Sequence, residues 1–567
     1  MKRRQFLQWG TAATGLFAST TFLQDSEPVR AAEKNLYVPF GKSELEADLV
    51  IVGGGLGGCA AALAALRNGL NVVMTEETDW IGGQLTAQGV PPDEHQWIET
   101  HGATALYRQF RKAVRDYYRR HYPLTDAARG QENLNPGNGS VSRLCHEPRV
   151  ALAVLLELFS PYFSAGRFTL LLNHRAIGAE VGGDKVRAVK VVNRQNGQEY
   201  LLKSSHFIDA TELGDLLPLT GTEFRNGAEA KSETNEFHAA EKADPNNQQA
   251  FTIVFAMDYD KGGNHVMDKP AEYAFWRDYI PKMTPPWPGK LLSMTYSKPD
   301  TLEPLTLGFN PEGEAAINMW NYRRIINPGN FIPGTYRGGI TIVNWPQNDY
   351  LLGNLDESEE AVQRHLARAK QLSLSLFYWL QTEVPRPDGG QGWKGLRLRG
   401  DIMGTDDGMA KYPYVRESRR IKALFTVLEE HVGKEQRESI TGKTEEFGAP
   451  FFDSVGVGYY RIDLHPSTGG DNYIDFASLR YQIPLGALLP ERMLNLIPAN
   501  KNIGTTHITN GCYRLHPSEW NIGESAGMLI VFVQQKKVPP RAVREKPELL
   551  AEFQTMIRSQ GIETHWR

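Results

Sequence analysis

Only three cysteines, Cys59, Cys145 and Cys512, occur in 567 residues, and no two are close enough to form a CxxC pair. That excludes a thioredoxin-like redox pair, a cysteine zinc knuckle and a four-cysteine iron–sulfur cluster held by this chain alone. A chain of this size needs no disulfide staples. Charge of one sign is also lacking: 62 basic residues face 66 acidic ones, a formal net charge of -4. Bulk electrostatics therefore suggest no nucleic-acid partner. Beyond the N-terminal segment no window approaches the ~20 uninterrupted apolar residues of a spanning helix, so no integral membrane segment is expected in the mature chain. No metal site is read from the sequence. What is plentiful is glycine, 54 residues in all, above the ~7% of average usage.

At the N-terminus, Lys2, Arg3 and Arg4 precede Gln5-Phe6-Leu7, a moderately apolar run from Trp9 to Leu23, and Val29-Arg30-Ala31. Charged start, apolar middle and small-residue end make a signal-peptide layout, expected over residues 1–31. The paired arginines followed by x-Phe-Leu resemble a twin-arginine export signal. Such a signal implies folded, cofactor-loaded export to the periplasm or another extracytoplasmic space.

Asp48-Leu49-Val50-Ile51-Val52 reads as a parallel strand buried on both faces, and Gly53-Gly54-Gly55-Leu56-Gly57-Gly58 follows at once. Cys59 to Asn68 reads as a helix ended by Gly69, and Asn71 to Thr75 as a second strand closed by Glu76 and Glu77. A GxGxxG placed between strand and helix, with Glu76 twenty-three residues after Gly53, has the context that a dinucleotide fingerprint requires. Gly53 permits the tight turn, Gly55 lets backbone approach a pyrophosphate, and Gly58 lets helix pack on strand. The helix N-terminus favours the phosphate, and the Glu76 carboxylate would accept ribose hydroxyls.

A second glycine pair follows in Asp79-Trp80-Ile81-Gly82-Gly83-Gln84-Leu85-Thr86. It resembles the FAD-binding enzymes of the glutathione-reductase and fumarate-reductase type. The resemblance implies that Gly82, Gly83 and Gln84 approach the FAD phosphates and ribityl chain. Pro148 opens a helix running to Phe163, and Phe168–Asn173, Ala176–Val181, Val186–Asn193 and Gln198–Lys203 read as a meander of short strands. His206 to Thr211 returns to the sheet, similar to the I-D-A-T-G end of that superfamily, with Glu212 in place of its glycine. Ala176 and Ala210 are accordingly candidate cofactor contacts. Pro484–Pro490 and Met493–Ala499 read as returning strands, and a helix opening at Glu519 places Asn521 and Gly523 toward the flavin edge.

Together with VNWPQNDY, YPYVRESRRI and the YQIPLGALLP to NIGESAG tail, these stretches resemble the FAD-dependent oxidoreductase family, including relatives of the heterodisulfide-reductase flavoprotein subunit. That family commonly has alanine-glycine-basic residue after the penultimate strand, where this chain has Ala499-Asn500-Lys501. The implied fold is α/β: a Rossmann-like FAD-binding domain with an inserted β-meander and an inserted α+β substrate domain. The expected division is 48–223 and 448–535 for the FAD-binding parts, 224–447 for the substrate domain and 536–567 for a C-terminal tail.

Two segments echo each other, Tyr460-Arg461-Ile462-Asp463-Leu464-His465-Pro466-Ser467 and Tyr513-Arg514-Leu515-His516-Pro517-Ser518. Histidine relays protons near neutral pH and arginine orients an oxyanion or carboxylate, so Arg461, His465, Arg514 and His516 are the candidate catalytic residues. His507 is a further candidate, while Arg416, Arg419 and Arg420 are read as braces between domains. The only other GxGxxG, Gly390 to Gly395, follows Pro385 and Pro387 and not a strand, so no NAD(P)H site is expected. The expectation is an exported FAD-dependent oxidoreductase that oxidises a small organic substrate by hydride transfer to flavin N5. Oxygen, a quinone or a protein carrier would reoxidise it. The alternatives are a flavoprotein electron carrier in a multi-subunit redox complex and a non-catalytic aromatic-rich binding module.

Overall fold

The structure, a computed structural model, describes residues 43–313, 318–417 and 419–567. The expected export segment, 1–31, lies outside the described residues. Strand β1 (Leu49–Val52) runs through the glycine turn into helix α1 (Leu56–Arg67) and on to β2 (Val72–Glu76). Helix α2 (Pro148–Ser164), with proline in its first turn where a missing N–H costs nothing, leads into β3 (Phe168–Leu172). A meander follows, β4 (His174–Gly182), β5 (Lys185–Asn193) and β6 (Glu199–Lys203), and then β7 (Phe207–Asp209). One expectation is corrected: Phe168–Leu172 is not a meander strand but pairs in parallel with β2, register Val72 to Phe168. The antiparallel meander is β4–β6 alone, with Glu44–Glu46 added in parallel on the β6 edge.

The parallel sheet is closed by a strand from far along the chain, so its order is Leu496–Pro498, β7, β1, β2, β3. Successive residues of β1 face opposite sides, as a strand requires. Leu49 and Ile51 join the core that holds α1, and Val50 and Val52 join the core beneath the meander. Both faces being covered explains why β1 has no polar residue.

The middle of the chain builds a second, antiparallel sheet from β8 (Phe255–Tyr259), β9 (Arg324–Ile326), β10 (Ile340–Val343) and, beyond helix α3 (Glu359–Thr382), β11 (Leu396–Leu398). Ser358 caps α3 by accepting from the Ala361 amide. A core of its own, rich in Trp276, Trp320, Trp345 and Phe377, fills the space between sheet and helix. The partition is not clean, because Val254, Ala256, Ile340 and Ile342 of the same segment pack into the core of the parallel sheet. Alternate residues of one sheet therefore serve two cores.

Strand β12 (Ile462–Leu464) and β13 (Leu496–Pro498) precede helices α4 (His507–Tyr513) and α5 (His516–Lys536). Of the two returning strands expected, only β13 enters the parallel sheet; Leu485–Leu488 is a 3-10 turn after the strand Tyr481–Pro484. Residues 536–567, expected as a tail, contain helices Pro540–Glu545 and Pro547–Ser559, which bury Val543, Leu550, Phe553 and Ile557. Among the described residues no helix is long and apolar enough to cross a membrane.

Helices α1 and α5 pack closely because small residues face each other. A methyl on Gly523 would overlap the Gly57 carbonyl, and one on Gly527 would overlap Ala61. Gly523→Ala is therefore expected to destabilise the flavin-free protein by about 1–3 kcal/mol, read as a lower urea midpoint at unchanged slope.

Candidate functional site

The turn between β1 and α1 needs glycine. Gly53 has φ +100 and a methyl there would overlap Ala210, while a methyl on Gly58 would overlap the Gly53 carbonyl. Gly55 is the N-cap of α1, which has neither a capping side chain nor an acid in its first turn. The first amides of α1 are left to an external acceptor, and the helix dipole favours an anion there.

A cavity opens on this turn. Its walls are Gly53, Gly55, Glu76, Gly83, Ala176 and Ala210 of the expected residues, together with Gln88, His174, Glu212 and Tyr412. Gly82 does not line it: with φ +108, its amide donates to the Gly54 carbonyl at 2.7 Å and fixes the second glycine turn. Gln84 is buried beside the cavity, its Nε2 donating to Glu519 Oε2 at 2.5 Å and to the Arg514 carbonyl at 3.0 Å. Asn521 and Gly523 are placed elsewhere. Asn521 accepts from the Val457 amide at 3.2 Å and donates to Ser525, pinning a strand to α5, and Gly523 serves the α1 contact.

The residues present fit FAD. Methyls on Gly55 and Gly83 would come within 2.8 and 2.7 Å of the same atom, Glu212 Oε1, so a carboxylate lies in the cradle between the two glycine turns. That oxygen is buried without a hydrogen bond, as are Gln88 Nε2 and His174 Nε2 on the same walls. A carboxylate oxygen thus occupies the space between the two glycine turns, beside Gln88 Nε2, a buried donor without a partner. The other oxygen of Glu212 pairs with Lys501, a fully buried ammonium that also lies 3.4 Å from Glu519. Burial works against the charged ammonium, but Glu212 and Glu519 hold Lys501 above its usual range, and burial pushes Glu519 up to about 7.

Glu76 points inward. Its Oε2 accepts from the Gly54 amide at 3.1 Å and its Oε1 from the Thr78 amide and hydroxyl at 2.8 Å. Burial pushes its carboxyl up to about 8. A carboxyl raised in the folded state stabilises the fold below its unfolded value and loses that contribution as pH rises through the folded one. In the flavin-free protein, Glu76→Gln is expected to flatten the fall in stability between roughly pH 5 and 8, by a few kcal/mol at ~1.4 kcal/mol per pH unit, as thermal melts across that range would show.

A second cavity, of about 240 Å³, is walled by Arg461, His465 and Arg514 with Asp93, Arg323, Tyr414, Arg416, Tyr460, Asp463 and Tyr473. Strand periodicity explains the first group. Asp463 in β12 and Arg461 and His465 at its two ends, spaced i, i+2 and i+4, line the cavity, whereas Ile462 and Leu464 are buried in the core. Segment Gly83–Gln88 stands between the two cavities. Gly83 and Gln88 line the first, while Gln84 Oε1 accepts from the hydroxyl of Tyr414, which lines the second, at 3.2 Å.

Three of the four candidate catalytic residues are thus brought together, and His516 is not among the lining groups. His516 opens α5, buried, with Nδ1 accepting from the Asp93 amide at 3.1 Å, and burial pushes it down to about 3, so it is neutral. His507 belongs to a buried ionic group: it pairs with Glu417 at 2.9 Å, and Arg420 bridges Glu417 to Glu229. The sequence reading missed Asp349. Its Oδ2 lies 2.6 Å from His465 Nδ1, and its Oδ1 lies 3.0 Å from Arg416. Burial opposes ionisation of Asp349, but Arg416 and His465 hold its carboxyl below the ordinary range. Burial and Arg416 push His465 down, so the pair is a neutral imidazole whose Nδ1–H donates to a carboxylate. This tautomer leaves Nε2 as an acceptor.

The family model described as FAD dependent oxidoreductase matches residues 48–557. No curated protein matches the chain. Among solved structures the chain is similar to L-proline dehydrogenase from P. horikoshii, at 16% identity over 33% of this chain and 24% of that one, TM-score 0.17. It is also similar to the FAD complex of glycerol-3-phosphate dehydrogenase from Bacillus halodurans, at 13% identity over 39% and 41%, TM-score 0.22. Anhydrotetracycline hydroxylase from Streptomyces rimosus matches at 11% identity over 91% and 66%, TM-score 0.32. The match to each of the two dehydrogenases spans less than half of that protein's length.

Proposed function

The chain belongs to the FAD-dependent oxidoreductase family and is an enzyme that binds FAD, and from that premise we propose that it oxidises a small organic substrate in the cavity beside His465. The observation that carries this reading is the Asp349–His465 pair, whose imidazole lines a cavity one short segment away from the glycine cradle. FAD, when bound, supplies a two-electron acceptor. The protein's part is to hold and deprotonate the substrate. His465 Nε2 takes the hydroxyl or amine proton as the C–H bond breaks with its electron pair and the new C=O or C=N bond forms. Asp349 keeps the imidazole in the accepting tautomer and stabilises it once charged, and Arg416 holds Asp349 ionised. Gly53, Gly55, Gly83, Ala176, Ala210 and Glu76 would hold the cofactor, and reoxidation by oxygen, a quinone or a protein carrier would complete the turnover.

The finer resemblance to the glutathione-reductase-like superfamily and to heterodisulfide-reductase flavoproteins is part of the same proposal. So are the division into a FAD-binding domain at 48–223 and 448–535 with a substrate domain at 224–447, and export through a twin-arginine signal to an extracytoplasmic space. An anaerobic screen of alcohols, sugars, amines and acids tests the reaction. Bleaching of the flavin band by one of these classes is expected. Ready reduction by NADPH at low concentration, with no response to any organic substrate, would overturn the reading.

A further inference from the structure

The four arginines around the second cavity are not equally occupied. Both terminal nitrogens of Arg416 are engaged, by the Ala250 carbonyl, Thr252, Asn344 and Asp349, although its Nε is buried without a partner, and Arg461 is tied to Asp475. Arg514 and Arg323 differ. Arg514 is 3% exposed; its Nη2 reaches the Asp463 carbonyl at 2.8 Å and the carboxylate only at 3.4 Å, and its Nε is buried with no partner. Arg323 holds Asp93 at 3.2 and 3.5 Å, long for a guanidinium–carboxylate pair, and its Nε is also unpartnered. Two desolvated guanidinium groups whose terminal nitrogens make only long carboxylate contacts line one cavity. Such an arrangement is costly unless an anion completes it, and a planar carboxylate matches the guanidinium fork.

The remaining walls favour hydroxyls. The Asp463 carboxylate makes a long contact to Arg514 at 3.4 Å and can accept from a hydroxyl, and His465, two residues on, offers a further acceptor. Tyr460 and Tyr473 supply apolar faces with polar tips. A volume of about 240 Å³ leaves room for a small organic molecule.

We propose that this cavity binds a small hydroxycarboxylate, its carboxylate seated on Arg514 and Arg323 and a hydroxyl on Asp463 or His465. The inference rests on the reading of this cavity as the substrate site, but it concerns binding and is tested as binding. Purified flavin-loaded protein is titrated with D-gluconate, D-glycerate and L-lactate, and in parallel with glucose, glycerol and lactamide, following the thermal midpoint and tryptophan fluorescence. At roughly 10 mM, at least one acid is expected to raise the midpoint by linkage, with its neutral counterpart at least about tenfold weaker. Arg514→Gln should abolish the shift and Arg514→Lys should restore part of it. Should Arg514→Gln fold poorly, Arg323→Lys provides the second variant, with weaker binding expected. No shift with any acid, equal binding of acid and neutral partner, or unchanged acid binding in the Arg514 variants would each overturn the proposal. Acid binding lost with Arg514, combined with no bleaching by any compound, would keep this inference and remove the redox reading. Bleaching by neutral substrates, with no shift of the midpoint by any acid, would do the reverse.

Discussion

His465→Gln is expected to slow anaerobic flavin reduction by about 10²–10⁴, the range that a positioned general base contributes, with the visible flavin spectrum unchanged. The imidazole is aimed by its 2.6 Å contact to Asp349 and stays neutral through burial and the nearby Arg416, so it is ready to accept a proton at neutral pH. Glutamine can still donate to Asp349 but cannot take the proton. The loss should therefore fall on the rate constant at saturating substrate and not on the apparent affinity. Asp349→Asn should slow the reaction comparably, because an amide can accept or donate at Nδ1 and no longer dictates the tautomer. The wild-type rate should fall as pH drops through the depressed His465 value, and that limb should vanish in His465→Gln. Reduction of the variant at the wild-type rate would remove His465 from the chemistry.

The cofactor cradle was legible because it is contiguous: strand, glycines, helix, strand and acid follow within thirty residues, and the observed boundaries of β1, α1 and β2 lie within about three residues of those expected. The second cavity was legible only in part. The echo of Tyr-Arg-x-x-x-His and Tyr-Arg-x-His pointed to Arg461, His465 and Arg514, but similar words have different backbones. Along β12 and the residues that flank it, a period of two brings Arg461, Asp463 and His465 to the cavity. In the second copy Arg514 ends α4 and His516 begins α5, so the two side chains diverge and His516 turns behind the Asp93 backbone. Pro517 reads locally as a turn, yet a proline in the first helical turn is compatible with α5 starting at His516. Pro484–Pro490 was read as a strand because an apolar run buried all round has no period to separate a strand from a 3-10 turn. Asp93, Arg323 and Asp349 come from three distant elements, and nothing local in the sequence pairs them with β12.

Lys501→Met should cost about 3–5 kcal/mol of stability, the cost of leaving buried charge uncompensated, and its size should depend on pH. Lys501 is the basic residue that follows Ala499-Asn500, and its ammonium lies between Glu212 in the cradle and Glu519 on α5. Without it the two carboxylates face each other in a dry site. Glu519 is already pushed up to about 7 by burial, and losing the cation raises it further. A raised carboxyl stabilises the fold below its unfolded value and loses that contribution as pH rises through the folded one, so the variant should tolerate pH 5.5 far better than pH 8. Urea unfolding of wild type and variant at about those two pH values measures the difference. Adding Glu212→Gln to Lys501→Met should recover much of the loss at the higher pH, because one buried charge is removed with its partner. A loss of equal size at both pH values would mean that Lys501 acts through packing of its stem, and the ionic account of the cradle would fail.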